Sequence, residues 1–108
     1  MQILKPYRAR IDALDKDLID LFAKRFAIIE EVGHLKARKN IPAILQDRVD
    51  EVRDNAVAMA EGKIDPEFIY KLWSDIIAHS CDLEEIIKAD YQGKSQDKDK
   101  QNKVEKSA

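Results

Sequence analysis

With 108 residues, 12.4 kDa, 44% hydrophobic and 37% charged residues, the chain has the size and composition of one domain with a heavily charged surface. Its 19 basic and 21 acidic residues nearly cancel to a formal net charge of −2, which weighs against a nucleic-acid module. The lone cysteine, Cys81, excludes an internal disulfide framework and a cysteine-built structural zinc site. No apolar run approaches the roughly 18 residues of a membrane span and no signal-peptide pattern opens the chain. The expectation is a soluble, cytoplasmic protein with no membrane partner. Three glycines and three prolines leave long unpunctuated stretches, which favours an all-α fold over a many-turned β fold.

The first predicted helix runs from about Lys5 to Lys39 and ends before Asn40-Ile41-Pro42. Along it Ile11, Leu14, Leu18, Leu21, Ile28, Val32 and Leu35 fit a seam stepping three or four residues at a time, as burial of one helix face requires. A second helix starts near Leu45 to Asp47 and carries Val49, Val52, Ala56 and Met59 on one face. Gly62 is placed to stop it, because glycine accepts the left-handed conformation of a helix end. Asp65-Pro66-Glu67 then signals a third helix: a capping carboxylate, proline at the first helical position and an acid on the dipole. Its seam is Ile69, Trp73, Ile76, Leu83 and Ile87. Residues 1–89 therefore read as one helical domain. From Gly93 to Ala108 only Val104 and Ala108 are apolar, among five lysines and three acids. Such a stretch buries too little surface to offset its ordering entropy, so 90–108 is expected to be a charged, disordered tail.

Length bears on assembly. A helix of 35 residues is about 52 Å long, whereas a compact domain of about 90 residues is only about 30 Å across. The first helix would project from a monomer with its seam uncovered. A homodimer in which two copies intertwine and share a core resolves this; a kink near Gly33, giving a small monomeric bundle, is the alternative.

Polar residues interrupt both seams. Position 25 of the first is Arg25, which either snorkels to water along the core edge or is held in a cavity to receive an anion. Lys36 lies eleven residues on, within about 20° of Arg25 around the helix and about 16 Å along it, so the two side chains can converge on one small ligand. In the third helix position 80 of the seam is Ser80, which in the ordinary case bonds back to the preceding turn. Glu84 follows one turn later, where a glutamate is more commonly a rim residue than a buried one. Arg48, at the start of the second helix, has Asp47 and Glu51 as ready partners, and Arg8 has the character of a first-turn surface residue. His34 and His79 lack a third ligand at metal spacing, so no metal site is expected, and His79 and Cys81 point to different faces, which disfavours a nucleophile pair. Trp73, Phe22 and Phe26 are core residues by default. There is no glycine-rich phosphate loop, and no cofactor is expected.

Taken together, Arg8-x-x-Ile11-x-x-Leu14-Asp15, Leu21-x-x-Lys24-Arg25, Val32-Gly33-x-x-Lys36, Pro42 followed by Asp47-Arg48, and Ile76-Ile77-x-x-Ser80-x-x-x-Glu84 resemble the short all-helical chorismate mutases of the intertwined-dimer class. The resemblance covers roughly residues 4 to 88. It implies three helices per chain, one long and two shorter, and conversion of chorismate to prephenate in aromatic amino-acid biosynthesis, without cofactor or metal. By position it implies that Arg25 and Arg48, with Arg8 from the other subunit, bind the two carboxylates. Lys36 would donate to the ether oxygen of the breaking bond, Ser80 would contact a carboxylate, and Glu84 would supply the second contact at the ether oxygen. Helix geometry agrees on one point: Arg8 and Arg25 are about 25 Å apart along a straight helix, too far to grip one small molecule within one chain.

Two positions depart from the family pattern. Val49 stands where many members have a glutamate contacting the ring hydroxyl, and Glu84 where many have glutamine. A carboxyl group donates only when protonated, and neighbouring cations favour its ionised form. The substitution at Val49 keeps isochorismate-pyruvate lyase activity, on the same fold, as an alternative. A non-enzymatic dimeric helical adaptor, with the tail docking a partner, is the third.

Overall fold

A computed structural model describes the backbone of residues 1–107 and the side chains of residues 1–93. A short 3-10 turn at Gln2–Leu4 leads into three helices: α1 at Lys5–Lys39, α2 at Gln46–Ala60 and α3 at Pro66–Ser107. The fold class is all-α. Helix α1 is uninterrupted over 35 residues, so the chain does not break near Gly33. It ends at Asn40, whose left-handed φ of 55° turns the chain, and the Ile41 N–H closes the end on the Lys36 carbonyl at 2.9 Å. Helix α2 stops one residue earlier than the Gly62 signal implies. Glu61 itself takes the left-handed position at φ 50°, and Gly62 follows at φ 73°, so two successive left-handed residues make the turn. At the start of α3 the Asp65 Oδ1 accepts the Glu67 N–H at 3.4 Å, with Pro66 the first helical residue, as expected. The α3 backbone runs through residues 90–107, where a tail is expected, and the side chains of residues 94–108 lie outside those described.

Helix α3 is central: α1 and α2 both pack on it. Ile69, Ile76 and Ile77 are buried along it, with Ala56 from α2. Arg53 of α2 lies 4.6 Å over the Tyr70 ring and pairs with Asp50 at 2.9 Å, pinning α2 across α3. Met59, expected on the inner face of α2, is exposed, because the helix turns Arg53, Ala56 and Val57 inward instead.

The expected seam of α1 is only partly the face that packs within the chain. That face is Phe22, Arg25, Phe26, Ile29, Val32, Gly33 and Lys36, which shares Arg25 and Val32 with the seam. Phe22 stacks on Phe26, and Phe26 meets the edge of His79 at 4.9 Å. Ile11, Leu14, Leu18, Leu21, Ile28 and Leu35 are exposed in the single chain, as are Tyr7 and Ile19. Pattern alone cannot separate the two faces, since both are apolar at helical spacing. Among the described residues no helix is long and apolar enough to cross a membrane.

Gly33 sets the distance between α1 and α3. A Cβ there would meet Ile87 Cδ1 at 3.0 Å and the Glu84 Cα at 3.4 Å. Alanine fits if the end of the Ile87 side chain yields, and gains about 1 kcal/mol of helix propensity over glycine. Valine has to push against the α3 backbone. Gly33→Val is therefore expected to destabilise by about 1–3 kcal/mol and Gly33→Ala to be close to neutral, as read from urea-unfolding midpoints.

Candidate active site

The α1–α3 contact and the start of α2 enclose a cavity of about 260 Å³. Its charged and polar walls are Arg25 and Lys36 from α1, Arg48 from α2, and Ser80, Cys81 and Glu84 from α3. Ile28, Ile29, Val32, Ala43, Leu45, Val49, Val52 and Ile77 supply the apolar remainder. Arg25 and Lys36 share a face for the reason their spacing indicates, and Ser80 and Glu84 lie one turn apart on α3 opposite them. Three cations thus meet one carboxylate around a space suited to a small anion.

The cations are held rather than free. Arg25 Nη1 donates to Ser80 Oγ at 3.0 Å, and that hydroxyl donates to the Ile76 carbonyl at 2.9 Å. Ser80 therefore bonds back to its own preceding turn and, with its lone pair, orients the guanidinium. Burial first, and repulsion from Arg48 second, push the Arg25 guanidinium below its usual range. An anion between the two arginines would screen their repulsion, and its attraction would offset the cost of burial.

Lys36 Nζ contacts Glu84 Oε1 at 2.6 Å and donates to the Ala43 carbonyl at 2.9 Å. Glu84 is only 5% exposed, so it is a buried partner and not the rim residue that residue statistics favour. Its Oε1 is enclosed and, the ion pair with Lys36 aside, meets no hydrogen-bond donor among the described residues. The carboxylate offsets a lysine that would otherwise be buried alone. Arg48 reaches the cavity from its mouth, is largely exposed and pairs with Glu51.

Of the residues singled out from sequence, Arg25, Lys36, Arg48, Val49, Ser80 and Glu84 come together here. Arg8 does not: it lies at the exposed N-terminal end of α1 beside Lys5 and Asp12, 17 positions from Arg25 and about 25 Å away along the helix. Phe22 and Trp73 are absent from the cavity wall. Among the described residues no group of three His, Cys, Asp or Glu side chains is placed to hold a metal. Cys81, passed over because it pairs with no base, does line the cavity; its position next to Ser80 in the sequence was the available signal.

Burial first, then the Glu84 charge, pushes the Cys81 thiol up, so little thiolate forms near neutral pH. Iodoacetamide at pH 7.5 is expected to label Cys81 more slowly than a free cysteine. Peptide mass spectrometry measures both rates.

The family model described as chorismate mutase type II matches residues 7–85. A 4-amino-4-deoxychorismate mutase of Streptomyces pristinaespiralis is 35% identical over 83 residues, covering 76% of this chain and 64% of that protein. A protein of the same name from Streptomyces venezuelae is 31% identical over 85 residues, covering 78% of this chain and 82% of its own. The T-protein of Haemophilus influenzae is 42% identical over 48 residues, where the match spans 44% of this chain but 13% of that protein. The family match encloses α2, most of the packed part of α3 and every cavity residue, and on that ground the chain belongs to the type II chorismate mutase family.

Proposed function

We propose that the chain catalyses the rearrangement of chorismate to prephenate, in the cavity between α1, α2 and α3. The observation that carries this reading is the set of Arg25, Lys36 and Arg48 around one small space, with Glu84 as the single carboxylate on its wall. The reaction is unimolecular and passes through a compact chair-like arrangement, so it needs neither a nucleophile nor a metal. What it needs is a bound reactive conformer and compensation for the negative charge that grows on the ether oxygen. Arg25 and Arg48 bind the carboxylates, Ser80 orients Arg25 and reaches a carboxylate by turning its hydroxyl proton away from the Ile76 carbonyl, and Lys36 donates to the ether oxygen. That last bond strengthens as charge separates, which is the condition for lowering a barrier and not only binding substrate.

Assembly enters the same proposal. The exposed apolar run from Tyr7 through Leu21 on α1 has no cover among the described residues, and Arg8 lies beyond the reach of its own cavity. An intertwined homodimer buries the first and brings Arg8 of the second copy to the substrate. Solution scattering at working concentration is expected to give twice the monomer mass.

Substrate choice rests on charge. Chorismate is a dianion, and three cations against one carboxylate favour it. A second reading, 4-amino-4-deoxychorismate as substrate, draws support from the two Streptomyces relatives. Its ammonium group would look for a carboxylate, and the one on this wall, Glu84, is already paired with Lys36. Val49 offers no polar contact to a ring substituent, which keeps isochorismate in the comparison. Side-by-side assays with chorismate, 4-amino-4-deoxychorismate and isochorismate are expected to show the highest kcat/KM for chorismate. Aromatic amino-acid biosynthesis in the cytoplasm is the corresponding role.

Arg25→Ala is expected to lower kcat/KM by about 10²–10³-fold with the dimer intact. An adaptor without activity would tolerate Arg25→Leu, or gain stability from it, since a partly buried cation is removed. Glu84→Gln keeps the shape of the side chain, removes the charge that pairs with Lys36 and places an N–H donor on the cavity wall; a kcat/KM unchanged from wild type removes the Glu84 charge from the reaction.

A further inference from the structure

Lys88 has no part in the reaction as proposed, yet it is tied to the site. It stands one turn beyond Glu84 on α3, on the same side of the helix. Its half-buried ammonium donates to the Ile41 carbonyl at 2.6 Å, across to the loop that joins α1 to α2. That loop is the one whose Ala43 carbonyl accepts from Lys36 Nζ at 2.9 Å, and whose Ile41 N–H closes the end of α1 on the Lys36 carbonyl at 2.9 Å. The backbone and the side chain of Lys36 are thus both anchored to residues 41–43, and Lys88 anchors those residues to α3.

An ammonium has three N–H groups. In Lys36 one faces Glu84 and one the Ala43 carbonyl, and fixing two fixes the direction of the third, which is left for whatever occupies the cavity. Glu84 belongs to the rigid helix, but Ala43 belongs to a loop with few other ties. Its carbonyl is a reliable acceptor only while the loop is held in place. A lysine ordered for one hydrogen bond recovers little net stability, because the rotamer freedom it loses is of comparable size. The geometric effect of the tether is the larger one.

We infer that Lys88 is a positioning residue: by holding the Ile41 carbonyl it keeps Ala43 where that carbonyl, together with Glu84, aims the remaining N–H of Lys36 at the bound anion. Insofar as it concerns turnover, this rests on the function proposed above. Lys36 acts on charge that develops in the transition state, so its misalignment appears in kcat more than in KM.

The test uses Lys88→Met, which keeps the stem and removes the donor, and Lys88→Arg, which keeps a cationic donor. Steady-state kinetics with chorismate are combined with hydrogen exchange at the Ile41 amide, which is bonded to the Lys36 carbonyl, and with thermal melting. The expected result for Lys88→Met is a kcat lowered about tenfold with KM within about threefold of wild type, faster exchange at the Ile41 amide and a melting temperature close to wild type. Lys88→Arg recovers part of the kcat. Wild-type kcat in Lys88→Met, with or without faster exchange, overturns the inference. So does a loss of kcat that follows a lowered melting temperature while exchange in the loop stays unchanged. If the wild-type protein converts none of the three candidate substrates, it is the proposed function that falls. The loop exchange then decides alone, faster exchange in Lys88→Met upholding the tether and unchanged exchange overturning it.

Discussion

Positive charge held out of water is the constraint around which this chain is organised. Arg25 and Lys36 sit on the face of α1 that packs against α3, where an unpaired cation costs several kcal/mol. The protein meets that cost in two ways. Glu84, itself buried, pairs with Lys36, and Ser80 turns a lone pair toward Arg25. Glu84 neutralises Lys36, whereas the Ser80 hydroxyl leaves the charge of Arg25 in place. The guanidinium remains pushed below its usual range by burial and by Arg48, and the space between the cations stays positive. A site left in this condition before any ligand arrives is preorganised: its dipoles need not turn when an anion binds or when charge moves within it.

The same constraint explains the geometry of the three helices. Glycine at position 33 lets α1 approach α3 closely enough for side chains one turn either way to interdigitate, and the atoms a larger residue would strike include the Cα of Glu84. The spacing of the helices and the placement of the carboxylate are thus one decision. At the other end of α1 the left-handed Asn40 reverses the chain so that the loop returns over Lys36, where the Ala43 carbonyl takes one of its protons. Helix α2 is then laid across α3 and fastened by Arg53 against Tyr70. Its first turn delivers Arg48 to the cavity mouth.

Family membership and site chemistry bear on function at different levels. The match over residues 7–85 assigns the chain to the type II chorismate mutases. Which ring substituent the substrate carries is a question for the wall near Val49, Leu45 and Val52, where this chain is apolar. An ammonium and a hydroxyl differ there by a full charge, so electrostatics separates substrates that shape alone would not.

By itself the sequence determined the helices and the list of polar residues that break their seams. Cap and stop signals are local: Asn40 before Pro42 and Asp65-Pro66-Glu67 act within one turn, and they put the ends of α1 and the start of α3 where they are found. The alignment of Arg25 with Lys36, and of Ser80 with Glu84, follows from 3.6 residues per turn and needs no tertiary information. Only the tertiary structure decided which apolar face of α1 packs within the chain, since Ile29 and Val32 look like Ile28 and Leu35 to any periodicity. It alone buried Glu84 beside Lys36, left Met59 outside, and put Cys81 on the cavity wall. It alone brought Lys88 to a carbonyl 47 positions away. Each of these depends on how two helices rotate about their own axes when they meet, and that rotation is set by the sum of contacts between segments far apart in the chain.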